Sequence, residues 1–306
     1  MKNKTLDIIG KKNLYFALSL IVVTPGLIAL LLFGLNLSID FTGGSRLTIS
    51  FPQKVEKTTS EKIKNILTKE NLKVSTVETS GNSLLIRTSP MDQKQNIKFV
   101  NTLSKEFKGA KETQFETIGP TIGAETTANA MKAVILASIL IILYITWSFR
   151  KVPKPASSLR FGVSAIVALI HDVLVVLGIF AILGHFFGVE VDSLFVTALL
   201  TVIGFSVHDT IVVFDRIREN LRRSHDSFPQ IVNDSILQTF GRSLNTSLTV
   251  LLVLFALLLF GGETIKWFIV ALLIGVASGT YSSIFNAAPI LVVWHEIAAR
   301  KAAKRA

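Results

Sequence analysis

Six long apolar stretches, one long polar interval after the first of them, and lysine and arginine gathered at alternate ends predict a polytopic α-helical membrane protein with six transmembrane helices and one inserted α+β domain. About 20 apolar residues are needed to cross a bilayer, and each stretch approaches or exceeds that length. Half of the 306 residues are hydrophobic, as expected of a chain divided between lipid and water. Cysteine is absent, which excludes disulfides, thiolate metal sites and a thiol nucleophile. Much of the net charge of +11 lies beside the apolar spans. That placement points to membrane topology and argues against a nucleic-acid partner.

Residues 1–13 form a basic N-terminus with Lys2, Lys4, Lys11 and Lys12, followed by an apolar run over 14–35. A signal peptide would have a shorter apolar core and a small-residue cleavage site, so this run reads as a retained first span. Pro25 and Gly26 within it predict a bend.

Residues 36–127 contain no run long enough to span. Alternating apolar and polar residues predict strands at Arg46–Phe51, Lys73–Glu78, Ser83–Thr88 and Lys111–Ile118. Ile63, Ile66 and Leu67, and then Ile97, Val100 and Leu103, recur at helical spacing and predict helices over Thr58–Glu70 and Met91–Phe107. Strand, helix, strand, strand, helix, strand is the ferredoxin-like order. The interval holds no histidine, no clustered carboxylates and no phosphate-binding glycine loop, so it reads as a docking or handling surface and not as an enzyme domain.

Residues 128–294 supply five further spans, near Ala128–Trp147, Gly162–Phe187, Val191–Phe214, Arg242–Phe260 and Ile265–Trp294, and 295–306 form a basic tail. The N-terminus, Arg150–Arg160, Arg216–Arg223 and Arg300–Arg305 are basic, whereas the short connections near Glu190, Asp192 and Glu263 are not. The positive-inside rule then puts both termini in the cytoplasm and the 36–127 domain outside.

The fourth span carries the chemistry. VIGFSVHDTIVVFDRIREN, residues 202–220, places His208 and Asp209 inside an apolar run. An ionisable group there points to function. The uninterrupted apolar part of the fifth span, Leu248–Phe260, is too short to cross, so Arg242 and Asn245 are drawn to the bilayer or its inner edge. Asp209 lies about five residues, roughly 8 Å, from the cytoplasmic end of its helix, a depth like that of Arg242. The two could form a proton-sensitive switch, or a static ion pair. His208 points about 100° away from Asp209, and reads equally as a packed histidine or a relay member. His171 and Asp172 form a second polar pair in the third span, with Asp172 a candidate to assist the site. Asp215, Arg216, Arg218 and Glu219 read as a cytoplasmic capping network. Gly275 and Gly279 read as helix-packing glycines. No GxxxxGK[ST] is present, so no ATP site is expected, nor any cofactor or metal.

The 202–220 stretch, IDFTGGSRL after the first span, IGPTIGAET before the second, and GRSLNTSLTVLLVLFALLLFGG in the fifth together resemble the SecF family of bacterial protein-translocase subunits, over nearly the whole chain. The resemblance implies a resistance-nodulation-division-like membrane fold, a partner SecD, and the SecYEG channel. It implies no enzyme activity, but use of the proton-motive force in the bacterial cytoplasmic (inner) membrane to help export unfolded secreted polypeptides. On the matching positions, Asp209 falls on the family's essential intramembrane aspartate and Arg242 on the arginine that responds to it. His208 departs from the asparagine more usual there, and part of the proton route is expected in SecD. A self-contained proton-coupled exporter of small molecules or lipids, and a purely structural scaffold, are the rival readings. Membrane lipids surround the chain in all three.

Overall fold

A computed structural model describes residues 6–55, 57–70, 72–153 and 156–303. Lys2, Lys4 and Arg305, counted above among the flanking basic residues, lie outside the described residues. The chain divides into two compact units, one of residues 1–36 with 132–306 and one of 37–131.

The smaller unit begins with a short helix, α2 (Ile39–Thr42), following the first span, α1 (Lys12–Phe33). It continues as β1 (Gly44–Ser50), α3 (Lys57–Lys69), β2 (Val74–Ser80), β3 (Ser83–Thr88), α4 (Gln93–Glu106) and β4 (Lys111–Ile118). All pairings are antiparallel and the strand order is β2-β3-β1-β4. Period-two alternation sends Leu47, Ile49, Leu84 and Ile86 to one face of the sheet, where they pack on Ile63, Ile66 and Leu67 of α3 and Phe99 and Leu103 of α4. Ile97 differs from expectation and is 52% exposed, because the inward stripe of α4 runs through Asn96, Phe99 and Leu103. Asp92 and Gln95 close a reciprocal capping box at the start of that helix.

The Gly43-Gly44 pair is required by conformation and by space. Both residues have positive φ, +70° and +126°. A Cβ on Gly43 would lie 2.9 Å from Cα of Pro120, and one on Gly44 2.8 Å from the Thr88 carbonyl oxygen. Gly123 answers from the other side, since its Cβ would lie 2.8 Å from the Gly43 nitrogen. IDFTGG and IGPTIG are therefore two halves of one close backbone contact.

Among the described residues, six apolar helical segments are long enough to cross a membrane. They are α1, α5 (Pro120–Ser148), α6 (Ser158–Phe187), α7 (Ser193–Arg223), α8 (Phe228–Phe260) and a final segment made of α9 (Glu263–Ser282) and α10 (Ala288–Ala303) joined by a π turn at Ser283–Ala287. Pro289 follows that turn; it has no N–H for the carbonyl four residues back, so the helix widens instead of breaking.

Small residues set the closest helix approaches. Gly26 of α1 meets Gly178 of α6, where a Cβ on either would fall 2.6–2.8 Å from the other's Cα. At one end of the bundle, Val191 N donates to Asn36 O at 2.8 Å and Asn36 Nδ2 to Gly188 O at 3.2 Å, joining the end of α1 to the α6–α7 connection. At the other end, the backbone N–H groups of Ile8 and Ile9 donate to Asn233 Oδ1, Asn233 Nδ2 donates to Leu6 O, and Lys12 pairs with Glu296 at 2.5 Å. Phe149, Phe161 and Phe214 fill the core between these layers, with ring centroids 4.8–5.9 Å apart.

Candidate functional site

The centre of the bundle is polar. α6, α7, α8 and α9 each turn serine, threonine or aspartate inward at one level, and these residues form two clusters, each around a carboxylate.

Asp172, on α6, is fully buried. Its Oδ2 accepts from Ser206 of α7 at 2.5 Å and Ser282 of α9 at 2.6 Å, while Oδ1 accepts from Ser278 of α9 at 2.7 Å and lies 3.0 Å from His171 Nδ1. Two oxygens offer about four lone-pair sites, and here all are used. One carboxylate thereby ties three helices together. Gly279 makes this possible, since its missing side chain lets Ser206 come close; a Cβ there would sit 3.0 Å from Ser206 Cβ. Next to this cluster, Thr210 and Ser283 share a hydrogen bond of 2.9 Å, and Ser283 Oγ donates to the Ser206 carbonyl at 3.2 Å.

Asp209, on α7, is 2% exposed. Its Oδ2 accepts from Ser247 of α8 at 3.4 Å, with the Thr280 hydroxyl beside it, and Ser247 and Thr280 share a bond of 2.6 Å. The contact to the carboxylate is at the limit of a hydrogen bond. Among the described residues neither aspartate has a lysine or arginine partner.

Arg242 does not reach Asp209. It is exposed, and the residue of α8 that faces the carboxylate is Ser247. The reason is helical phase: Thr239, Ser243 and Ser247, four residues apart, occupy the buried stripe, and Arg242 lies about 140° round the helix from Ser247. Asn245, about 200° from Ser247, is exposed as well. His208 is exposed beside the buried Asp209. Matching depth puts two residues at one height; only the azimuth decides whether they meet.

Asp215 belongs to the basic end of α7, where it pairs with Arg218, while Glu219 pairs with Arg216 at 2.5 Å and Arg223 at 3.1 Å. Arg218 and Arg222 donate to the carbonyls of Ser148 and Lys151, at 3.5 and 3.3 Å, and so satisfy the end of α5. Sequence reasoning missed the hydroxyls that make both clusters: Ser206 and Thr210, Ser278 and Ser282, and Ser247 with Thr280. The available signal, for the first two pairs, was their repeat at intervals of four within apolar helices.

Among the described residues, six membrane-length apolar helices and two buried carboxylates where α6, α7, α8 and α9 meet define a multi-pass membrane protein organised around intramembrane acidic groups. The sequence matches the family described as protein export membrane protein SecD/SecF, C-terminal, over residues 99–297, and the SecD/SecF GG motif over residues 28–55. It is 50% identical to a protein translocase subunit SecF of Thermobaculum terrenum over 94% of both chains, and 48% identical to one of Anaerolinea thermophila with the same coverage. The crystal structure of SecDF, a translocon-associated membrane protein from Thermus thermophilus, superposes with a TM-score of 0.82 at 32% identity, over 95% of this chain and 39% of that one. The chain belongs to the SecD/SecF family of protein-export membrane proteins.

Proposed function

We propose that this chain is an accessory subunit of the Sec translocase that couples proton movement across the bacterial inner membrane to the export of unfolded polypeptides. The observation that carries this reading is Asp209: a buried carboxylate at mid-helix, with one long hydrogen bond and no cation partner among the described residues. Burying such a charge in lipid is costly, and a proton removes it. Protonation changes what Asp209 asks of Ser247 and Thr280, and therefore the fit of α7 against α8 and α9.

The reading needs a second subunit. The chain spans 39% of the Thermus thermophilus SecDF and 38% of the SecDF of Bacillus subtilis, so a SecD-like protein would supply the other half, and SecYEG the channel. His208, Arg242 and Asn245, exposed on α7 and α8, remain available to such a partner. The basic ends of the spans favour cytoplasmic termini with the 37–131 unit outside, where it would hold or hand on the emerging chain. The chain acts as a conformational coupler and catalyses no covalent reaction.

Replacing Asp209 by asparagine keeps the shape and removes the titration. In vesicles carrying the full assembly, Asp209→Asn should abolish proton-dependent stimulation of export while insertion and assembly persist. Undiminished stimulation would leave the chain a scaffold.

A further inference from the structure

Asp172 is used as an acceptor on all sides, and this fixes the state of its neighbour. An ionised Asp172 can only accept, and with the carboxylate in that state the 3.0 Å contact puts the proton on His171 Nδ1. The other ring nitrogen, Nε2, is buried and has no hydrogen-bond partner. An imidazole oriented by a carboxylate at Nδ1, with a lone pair free at Nε2, is the arrangement of a general base.

A cavity of about 320 Å³ opens beside His171, between α1, α6 and α9. Its walls are apolar apart from His171, Ser19, Ser278 and Tyr281. Those polar groups are themselves anchored. Ser19 donates to Asn286 Oδ1 at 3.0 Å, Tyr281 donates its hydroxyl to the Tyr15 carbonyl at 2.8 Å, and Ser278 donates to Asp172. The Tyr281 ring lies over His171 with centroids 6.3 Å apart. The cavity wall is almost wholly apolar and Nε2 is shielded from it, so water reaches the imidazole only when the α1–α6–α9 seam opens locally. The titratable groups facing His171 are Asp172 on its own helix, Tyr281 from α9, and Tyr15 from α1 behind Tyr281; no lysine or arginine lines the cavity.

We propose that His171 is a second proton-accepting site, separate from Asp209, which takes a proton at Nε2 from water admitted when the seam beside this cavity opens. The proton adds to the Nε2 lone pair, Nδ1 keeps its own, and the resulting imidazolium is balanced by the Asp172 carboxylate, so the pair becomes neutral overall. Because Asp172 also holds Ser206, Ser278 and Ser282, loading His171 acts on the seam between α6, α7 and α9. The role in coupling rests on the proton-driven reading above; the proton site itself does not.

The test is nitrogen NMR of the full chain in lipid nanodiscs with ¹⁵N-labelled histidine, the His171 signals being assigned by their loss in His171→Gln. The expected result is a Nδ1-protonated, Nε2-unprotonated ring at high pH that gains a second proton on acidification, and loss of the tautomer preference in Asp172→Asn. Should Asp172→Asn fail to fold, Ala277→Phe fills the cavity and should stop proton exchange at Nε2 with the tautomer unchanged. A ring protonated at Nε2 throughout, or one that never gains the second proton, overturns the proposal. If His171 behaves as expected while Asp209→Asn leaves export stimulation intact, the Asp209 reading fails and this one stands. The opposite pair of results removes this proposal alone.

Discussion

Asp172 and Asp209 sit in neighbouring helices of one bundle, both almost inaccessible, and their surroundings differ sharply. Asp172 has a donor for every lone pair, all within 3.0 Å, from three helices. Asp209 has Ser247 at 3.4 Å and the Thr280 hydroxyl beside it. A carboxylate so fully served is part of the architecture, because removing it orphans four donors at once. One served so sparsely can change state without dismantling its neighbours. Burial and residue type are therefore poor guides to which acid is the moving part; the count and length of hydrogen bonds separate them.

The contrast can be broken most forcefully by truncation. Asp172→Ala should destabilise the bundle by about 3 kcal/mol, the scale for leaving buried polar partners unanswered, whereas Asp209→Ala should cost only about 1 kcal/mol. Unfolding in micelles of increasing SDS content measures both, and equal losses would erase the distinction. A smaller effect is expected from Gly279→Val, which pushes α9 off Ser206 and so strains the Asp172 cluster from outside; overpacking of this kind costs about 2 kcal/mol. Its loss should be strongly non-additive with Ser206→Ala, since both act on one contact. The finest comparison is between single hydroxyls. Ser206→Ala removes a 2.5 Å bond to Asp172 and should cost about 1 kcal/mol, near the upper range for hydrogen bonds between membrane helices. Ser247→Ala loses a marginal contact to Asp209 as well as its bond to Thr280, and should cost about half as much. The order of these two losses, measured in the same unfolding assay, sharpens or sinks the claim that Asp172 is the better-held acid.

Much of this was legible in the sequence, for identifiable reasons. The spans declare themselves because lipid demands long apolar runs, and the element order of the 37–131 unit because alternation and helical spacing leave different marks. Asp209 stood out since any charge in such a run is conspicuous. The proposed contact between Asp209 and Arg242 was drawn from matching depth and from the family resemblance, neither of which carries azimuth; the residue that faces Asp209 was hidden because azimuth depends on how α8 is rotated against its neighbours. The serine and threonine donors were hidden for another reason. Hydroxyls are common in membrane helices, where they can bond their own backbone, as Thr210 does to the Ser206 carbonyl at 3.1 Å, so their presence alone singles out nothing. Only packing reveals which of them are turned toward a carboxylate. Ile97 failed for the same geometrical reason as Arg242, on a smaller scale.

The Asn233 amide that grips Leu6, Ile8 and Ile9 has a consequence in time. The segment it holds leaves the ribosome before its clasp, since Asn233 follows 225 residues after Ile8. At about 5–20 residues per second, the start of the chain waits roughly 10–45 s for its clasp. Until then this end of the first span lacks the Asn233 contacts. The clasp on the first span is made late, by the fifth helix, and a chain stopped before that point would lack it.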